Sequence, residues 1–463
     1  MRKTAVKMGA IWLVVLMVAS VFLVVIPSNA SADFEGGSGT LADPYQIADV
    51  NQLQEMNTDL SAHYILVDDI DASDTENWNE GAGFMPIGTE FDMFTGTLNG
   101  NMYEITDLYI NRPTTRCVGT IGMIDELSVI KNVGIVNADI TGLTYVGGLL
   151  GVNFEGTISN CYASGDIKST NMYCGGLLGF NHEGLVSNSY ATSTVTGNQY
   201  VGGFIGGSRL HLISNCYASG SVIGYDGVGG FVGLNMNYGI ISGSYSTGSV
   251  SGTISVGGFA GVNNYYAIIS NSYTTGSVSG TLNVGGFAGK LFDHATISNS
   301  YSTGSVSGKY RFGGFIGYQY YWPTITISFW DIDTSGQTRN GGGTGKTTEQ
   351  MMQQATFVEW DFINVWEMKE DITYPFLQWE SQVHQTQDLT SDIEELELPD
   401  GLESSLVSKL DGAISALEKD QDTAAINKLD AFINQVDAQR GKKITEDQAD
   451  ELVATAKWII GNI

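Results

Sequence analysis

A few side chains able to do chemistry recur in this chain at a fixed step. Tyr238, Tyr266, His294 and Trp322 stand 28 residues apart, and Tyr265 and Tyr321 directly precede two of them. The same column begins with Gly156, Gly184 and His211. Tyrosine and tryptophan join an apolar ring face to a polar handle, so rings at equivalent positions of a repeat suit stacking against sugar rings. The plainer use of such rings is to shield the edge of whatever the repeat builds. The binding expectation is an extracellular glycan or cell-envelope component held by Tyr238, Tyr265, Tyr266, Tyr321 and Trp322. Tyr238, Tyr266 and Trp322 are expected to carry the main contact.

Hydrolysis would need paired carboxylates. Glu155 and Glu183 are also 28 residues apart. Stacked as neighbouring strands they would lie about 5 Å from each other, near the separation used by retaining glycosidases. Every aligned pair in a stacked repeat has that spacing, however; the next repeat offers Leu210, and each Glu is followed by Gly in a predicted turn. No catalytic residue is assigned. "GGGTGKTT" is a decoy for a phosphate loop, because Asn340 stands where the first glycine belongs and no strand-to-helix unit surrounds it. "DIDTSG" supplies Asp331, Asp333 and Ser335 to a calcium loop, yet Gly342 occupies the place of the bidentate glutamate. His63, His182, His211, His294 and His384 are scattered without ligand spacing, and no Ser/His/Asp arrangement is legible. The expectation is a non-enzymatic chain with no metal and no cofactor. The competing class is a polysaccharide lyase or glycoside hydrolase on a β-helix, which would need clustered Asp, Arg or Lys in one cleft.

What would position these residues is a repeat. Glycine pairs begin at Gly147, Gly175, Gly202, Gly229, Gly257, Gly285 and Gly313, with steps of 27 or 28 residues. Tyr162, Tyr190, Tyr217, Tyr245, Tyr273, Tyr301 and Phe329 march with them, as do Ile158, Val186, Ile213, Ile241, Ile269 and Ile297. A fixed period of this length signals a stacked architecture. Within a period there is no helix-length amphipathic run; β-branched and aromatic residues alternate with Ser, Thr and Asn and are broken by Gly, the pattern of short strands. The fold class is therefore mainly β, a β-solenoid of about 28-residue coils. Eight coils at the strand spacing make a rod of roughly 40 Å. Paired glycines at one place in every coil mark a bend or the close approach of another backbone.

The "VGGFAGVN" and "ISNSYSTGSVSG" elements resemble the GLUG motif repeat of secreted and surface-associated bacterial and archaeal proteins. The resemblance extends to "DPYQIADVNQLQEM" before the repeats and "SFWDIDTSG" and "YPFLQW" after them. It implies a surface or adhesin-like chain and no reaction. From about residue 390 the texture changes: Leu402, Leu406, Leu410, Ile414 and Leu417 fall at helical spacing, and two further runs follow at 426–436 and 452–460. Thr445 with Gln448 reads as a capping box, and Gly441 suits the end of the preceding helix. This predicts a small C-terminal three-helix bundle. The segment resembles the FIMAH domain, which implies an accessory or attachment role.

Residues 1–32 read as a secretory signal peptide: Arg2, Lys3 and Lys7 precede an apolar run, and Ala30-Ser31-Ala32 offers a cleavage site, the alternative being that the run of about 19 residues stays as a membrane anchor. Residues 33–112 are expected to cap one end of the rod 113–343, residues 344–385 to cap the other with their aromatic side chains, and residues 386–463 to form the helical bundle. Removing the signal takes away three positive and no negative charges, so the formal charge falls from −29 to −32. Such a chain repels nucleic acid and anionic membrane surfaces, and after cleavage no apolar segment long enough to span a membrane remains. Cys161 and Cys216 share a column two coils apart, beyond the reach of a disulfide; with Cys117 and Cys174 they read as buried thiols. The expected location is secreted or at the cell surface.

Overall fold

The computed structural model describes residues 34–463 except 340, 397, 418, 420 and 462. The signal peptide and Asn340 fall outside the described residues, as does the side chain of His384.

One coil consists of five strands, exemplified by Ile268–Ser270, Tyr273–Thr274, Val278–Ser279, Leu282–Gly285 and Ala288–Phe292. The first strand lies on one face of the rod, the next three curve round a second, and the last forms the third. The coils stack in parallel and, apart from register shifts in the early coils near Arg112–Arg116, Ala163–Gly165 and Ser169–Met172, in register: Ile241, Ile269 and Ile297 pair in succession, as do Val250, Val278 and Val306. Eleven strands stack on the first face and eight on the third. The mainly β solenoid expected from the period is therefore present.

Registered pairing puts like residues in columns. Phe204, Phe231, Phe259, Phe287 and Phe315 are fully buried, their ring centroids 4.8–5.0 Å apart. Polar columns close their own hydrogen bonds. Buried Ser272 donates to the carbonyl of Ser270 and accepts from the N–H of Ser244 in the neighbouring coil, and Ser300 repeats the arrangement. The glycine pairs face inward. A Cβ on Gly257 would meet the carbonyl oxygen of Ala260 at 2.1 Å, and one on Gly258 the carbonyl oxygen of Gly286 at 2.2 Å. Backbone approaches backbone too closely for any side chain there.

At the N-terminal end, strands Tyr45–Ile47, His63–Leu66 and Thr97–Asn99 add three irregular rungs to the first face ahead of the regular coils. A short helix, Val50–Glu55, is capped by the Asp49 carboxylate and turns Val50 and Leu53 into the core. At the other end, strand Thr344–Lys346 pairs with Phe329–Asp331 and covers the last coil. The aromatic residues that follow do not cap the end but fold back along the side. Phe357, Trp360, Trp366 and Leu377 pack over Tyr273, Tyr301 and Phe329, and Trp379 reaches the carbonyl of Gly243. The exposed flank of a tyrosine column needed cover as much as the open strand edge did.

The three predicted helices are present as Asp400–Leu417, Asp422–Gln439 and Glu446–Gly461, with the Thr445–Gln448 capping box and Gly441 at φ 64°. A further helix, Gln382–Glu395, precedes them and gives Leu389 and Ile393 to the same core. All four cysteines are buried free thiols; burial pushes Cys117 up to about 11 and Cys161 up to about 12.

Candidate functional site

The corner between the third face and the first face of the next coil carries the recurring rings. In three successive coils it is a two-residue turn, closed by Gly239 N–H to Met236 O, Ala267 N–H to Asn264 O and Ala295 N–H to Phe292 O. Both central residues are left-handed in each: Asn237 and Tyr238 at φ 49° and 62°, Tyr265 and Tyr266 at 49° and 59°, Asp293 and His294 at 57° and 62°. Tyr321 and Trp322 repeat the conformation at 58° and 56°. Glycine, asparagine and aspartate dominate turns of this kind, and the left-handed region costs a bulky residue roughly 1–2 kcal/mol. Earlier coils make the same corner with Glu155-Gly156 and Glu183-Gly184, using one left-handed residue each. The corner's geometry therefore does not require rings.

The rings do form a column. Tyr238 stacks on Tyr266 at 5.3 Å and 8°, Tyr266 on His294 at 4.7 Å and 8°, and His294 meets Trp322 at 5.7 Å and 39°. This brings the expected residues together but separates their roles. Near-parallel rings at this spacing turn their faces to one another, so Tyr266 presents an edge to solvent. The open faces lie at the two ends of the column, at Tyr238, 59% exposed and stacked on one side only, and at Trp322. Trp322 is 75% exposed, and Tyr321, 60% exposed, is tilted by 53° and 48° against Tyr320 and Trp322. Tyr265 meets Phe292 edge-on at 64° and is half exposed.

Sequence reasoning missed the residues that extend this end. Tyr320 stacks on Phe292 at 5.0 Å and on Tyr318 at 5.5 Å. Lys290 lies 4.5 Å from the ring centre of Phe292, and the Arg311 guanidinium 4.3 Å from that of Tyr318. The aromatic surface thus runs from the corner across the third face of the last two coils. The signal was available: Phe292 and Tyr320 lie 28 residues apart, as do Lys290 and Tyr318.

The other candidate residues have structural surroundings. Phe154 and His182 are paired in register and stack at 4.5 Å, which puts Glu155 and Glu183 at adjoining turns. His182 has its pKa lowered, first by burial and then by Arg209. Asp331 is fully buried: its carboxylate caps the helix Ile332–Ser335 through the N–H groups of Asp333 and Thr334 and accepts from Thr348 Oγ1 at 2.7 Å and Tyr374 OH at 2.6 Å. Four donors occupy the oxygens a cation would use. Gly345 and Lys346 of the phosphate-loop decoy lie in the strand Thr344–Lys346.

The GLUG motif model matches residues 142–168, 197–223, 224–251 and 280–307, and the FIMAH domain model residues 386–461. The chain carries GLUG repeats and a FIMAH domain. It is 40% identical over 141 residues to halomucin of Haloquadratum walsbyi, covering 29% of this chain and 2% of that protein. Over 135 residues it is 36% identical to a putative Gly-rich membrane protein of Evansella cellulosilytica, covering 28% and 15%. The chain thus spans only a small part of these relatives. Among solved structures an IgA1 protease chain aligns at 16% identity with a TM-score of 0.42, covering 74% of this chain and 27% of that one. The GLUG coils account for the glycine pairs and the columns; the aromatic corner belongs to the later coils alone.

Proposed function

We propose that this chain is a non-enzymatic repeat protein of the cell surface or secreted space, serving adhesion or envelope structure, and that its GLUG rod contacts glycan at its C-terminal end. Similarity to halomucin and to a putative Gly-rich membrane protein supports the location. The observation that carries the glycan reading is Trp322: a large ring with an open face, held on a left-handed turn that other coils build from Glu-Gly. Exposed rings of this kind suit sugar faces, whose C–H groups are apolar and whose hydroxyls seek polar edges. The carboxylates Glu155 and Glu183 lie five to six coils away, roughly 24–29 Å along the rod, so they share no cleft with these rings. A glycan array probed with the parent chain and with Trp322→Ala, run beside a polysaccharide degradation assay, tests the reading. Binding lost in the variant without any degradation supports it; degradation by the parent returns the chain to the enzyme class.

A further inference from the structure

The aromatic end of the rod is also its cationic end. Lys290, Lys309, Arg311 and Arg339 all lie on the last two coils and the segment that closes them. None has a carboxylate within ion-pair distance among the described residues, although the chain as a whole carries a formal charge of −29. What sets these four apart is that they gather at one end of the rod beside aromatic rings. Arg311 and Arg339, 28 residues apart, line an open cleft of ≈430 Å³ together with Phe312, Gly317 and Gly341, where two of the lining positions have no side chain to fill it. Arg311 lies against Tyr318, and Lys290 lies over Phe292 and Tyr320 at 4.5 and 5.2 Å. A guanidinium stacked through its plane keeps its N–H fork free for a planar or tetrahedral anion.

We infer that the last two coils bind an acidic saccharide: a carboxylate or sulfate group is held between Arg311 and Arg339, Lys290 adds a second positive contact, and the sugar rings run over Tyr320 and Tyr321 to Trp322. This rests on the glycan reading above and names the chemical class of its ligand. Electrostatic recognition of this kind is weakened by salt.

The experiment is calorimetric titration of the full chain with three probes of equal length: an oligogalacturonate, a sulfated galactan oligomer and a neutral cello-oligosaccharide. Arg311→Gln/Arg339→Gln, Lys290→Gln and Trp322→Ala are titrated beside the parent, with thermal melting and elution volume recorded for each. At least tenfold tighter binding of an acidic probe than of the neutral one is expected, weakening as salt rises. The double variant should lose that preference, Lys290→Gln should reduce it, and Trp322→Ala should weaken all probes. The carboxylate and sulfate arms identify which anion is preferred. Equal affinity for neutral and acidic probes, unchanged in the double variant but lost in Trp322→Ala, overturns the acidic class and leaves the glycan reading standing. No binding of any probe overturns both. A double variant that self-associates while keeping its preference shows that the arginines only guard the terminal strand edge, and the inference falls.

Discussion

The rod contains two ring columns with opposite duties, and substitution separates them. Phe287 is fully buried between Phe259 at 5.0 Å and Phe315 at 4.9 Å, so Phe287→Ala should cost about 3–5 kcal/mol. Trp322 keeps only a quarter of its surface covered. A fully buried tryptophan hides up to about 250 Å², so roughly 60 Å² is at stake, and at about 25 cal/mol per Å² its loss costs no more than about 1.5 kcal/mol. Tyr238→Ala/Tyr266→Ala breaks two exposed stacks, each worth about 0.5–1.5 kcal/mol. Denaturant midpoints give the stability order and calorimetry with a saccharide probe gives affinity. Trp322→Ala should leave the midpoint near the parent's and weaken binding at least tenfold, about 1.4 kcal/mol. Tyr238→Ala/Tyr266→Ala should lower the midpoint modestly and leave affinity within about threefold, since a tenfold loss would correspond to about 1.4 kcal/mol. If the tyrosine pair weakens binding as much as Trp322→Ala, or if Trp322→Ala destabilises as much as Phe287→Ala, the assignment of the binding face to Trp322 at the C-terminal end of the column is wrong.

Gly258→Val should abolish cooperative folding of the rod, read by loss of the β signature in circular dichroism, because its Cβ would sit 2.2 Å from the carbonyl oxygen of Gly286. Glu155→Gln with Glu183→Gln should leave saccharide binding unchanged; appearance and loss of a cleaving activity in this pair would contradict the non-enzymatic reading. The Glu380 carboxylate accepts from Tyr273 OH and Leu377 N–H at 2.7 Å each and is pushed up to about 7 by burial from an ordinary value of 4.5. A carboxyl raised in this way stabilises the fold below about pH 4.5, loses that contribution as pH rises to about 7, and adds no slope above. Glu380→Gln should flatten that slope and raise stability at pH 8 by about 1–3 kcal/mol; urea midpoints from pH 4 to 8 that fall as steeply as the parent's would refute it. A tandem copy of residues 280–307, one GLUG match, adds a coil without altering the last one, so it should raise the melting temperature and keep saccharide affinity unchanged.

The coil was legible because each column repeats one residue type. Ile241, Ile269 and Ile297 pair directly, and a one-residue slip would turn all of them outward. The paired glycines announced a close approach, and the carbonyl of the next coil is what approaches. The aromatic residues after 344 announced burial, but apolar content does not say against which surface. Phe357, Trp360 and Trp366 lie on the flank, where they bury Tyr273 and Tyr301. The spacing aligned the turn rings that stack as Tyr238, Tyr266 and His294, but a period fixes the distance between equivalent Cα atoms and leaves the side-chain torsions undetermined. Arg311 and Arg339 stand one period apart, but Arg339 follows the last regular coil, and only the closing segment brings the two to one cleft.

The location of the candidate site follows from the stack itself. A repeat that puts a ring on the same turn of consecutive coils at about 4.8 Å spacing lets each ring cover the face of its neighbour, as Tyr238, Tyr266 and His294 do. Lengthening such a column adds stability and edges but no free faces. A free face appears only where the column stops or where a ring is tilted out of it; Tyr238 meets the first condition, and Trp322, 39° from His294, meets both. The coil that ends the column also ends the rod, and there the next coil is replaced by a closing segment that brings Arg339 beside Arg311. Aromatic faces and the Arg311–Arg339 cleft therefore meet at the terminal coil for one reason: no following coil stacks on it.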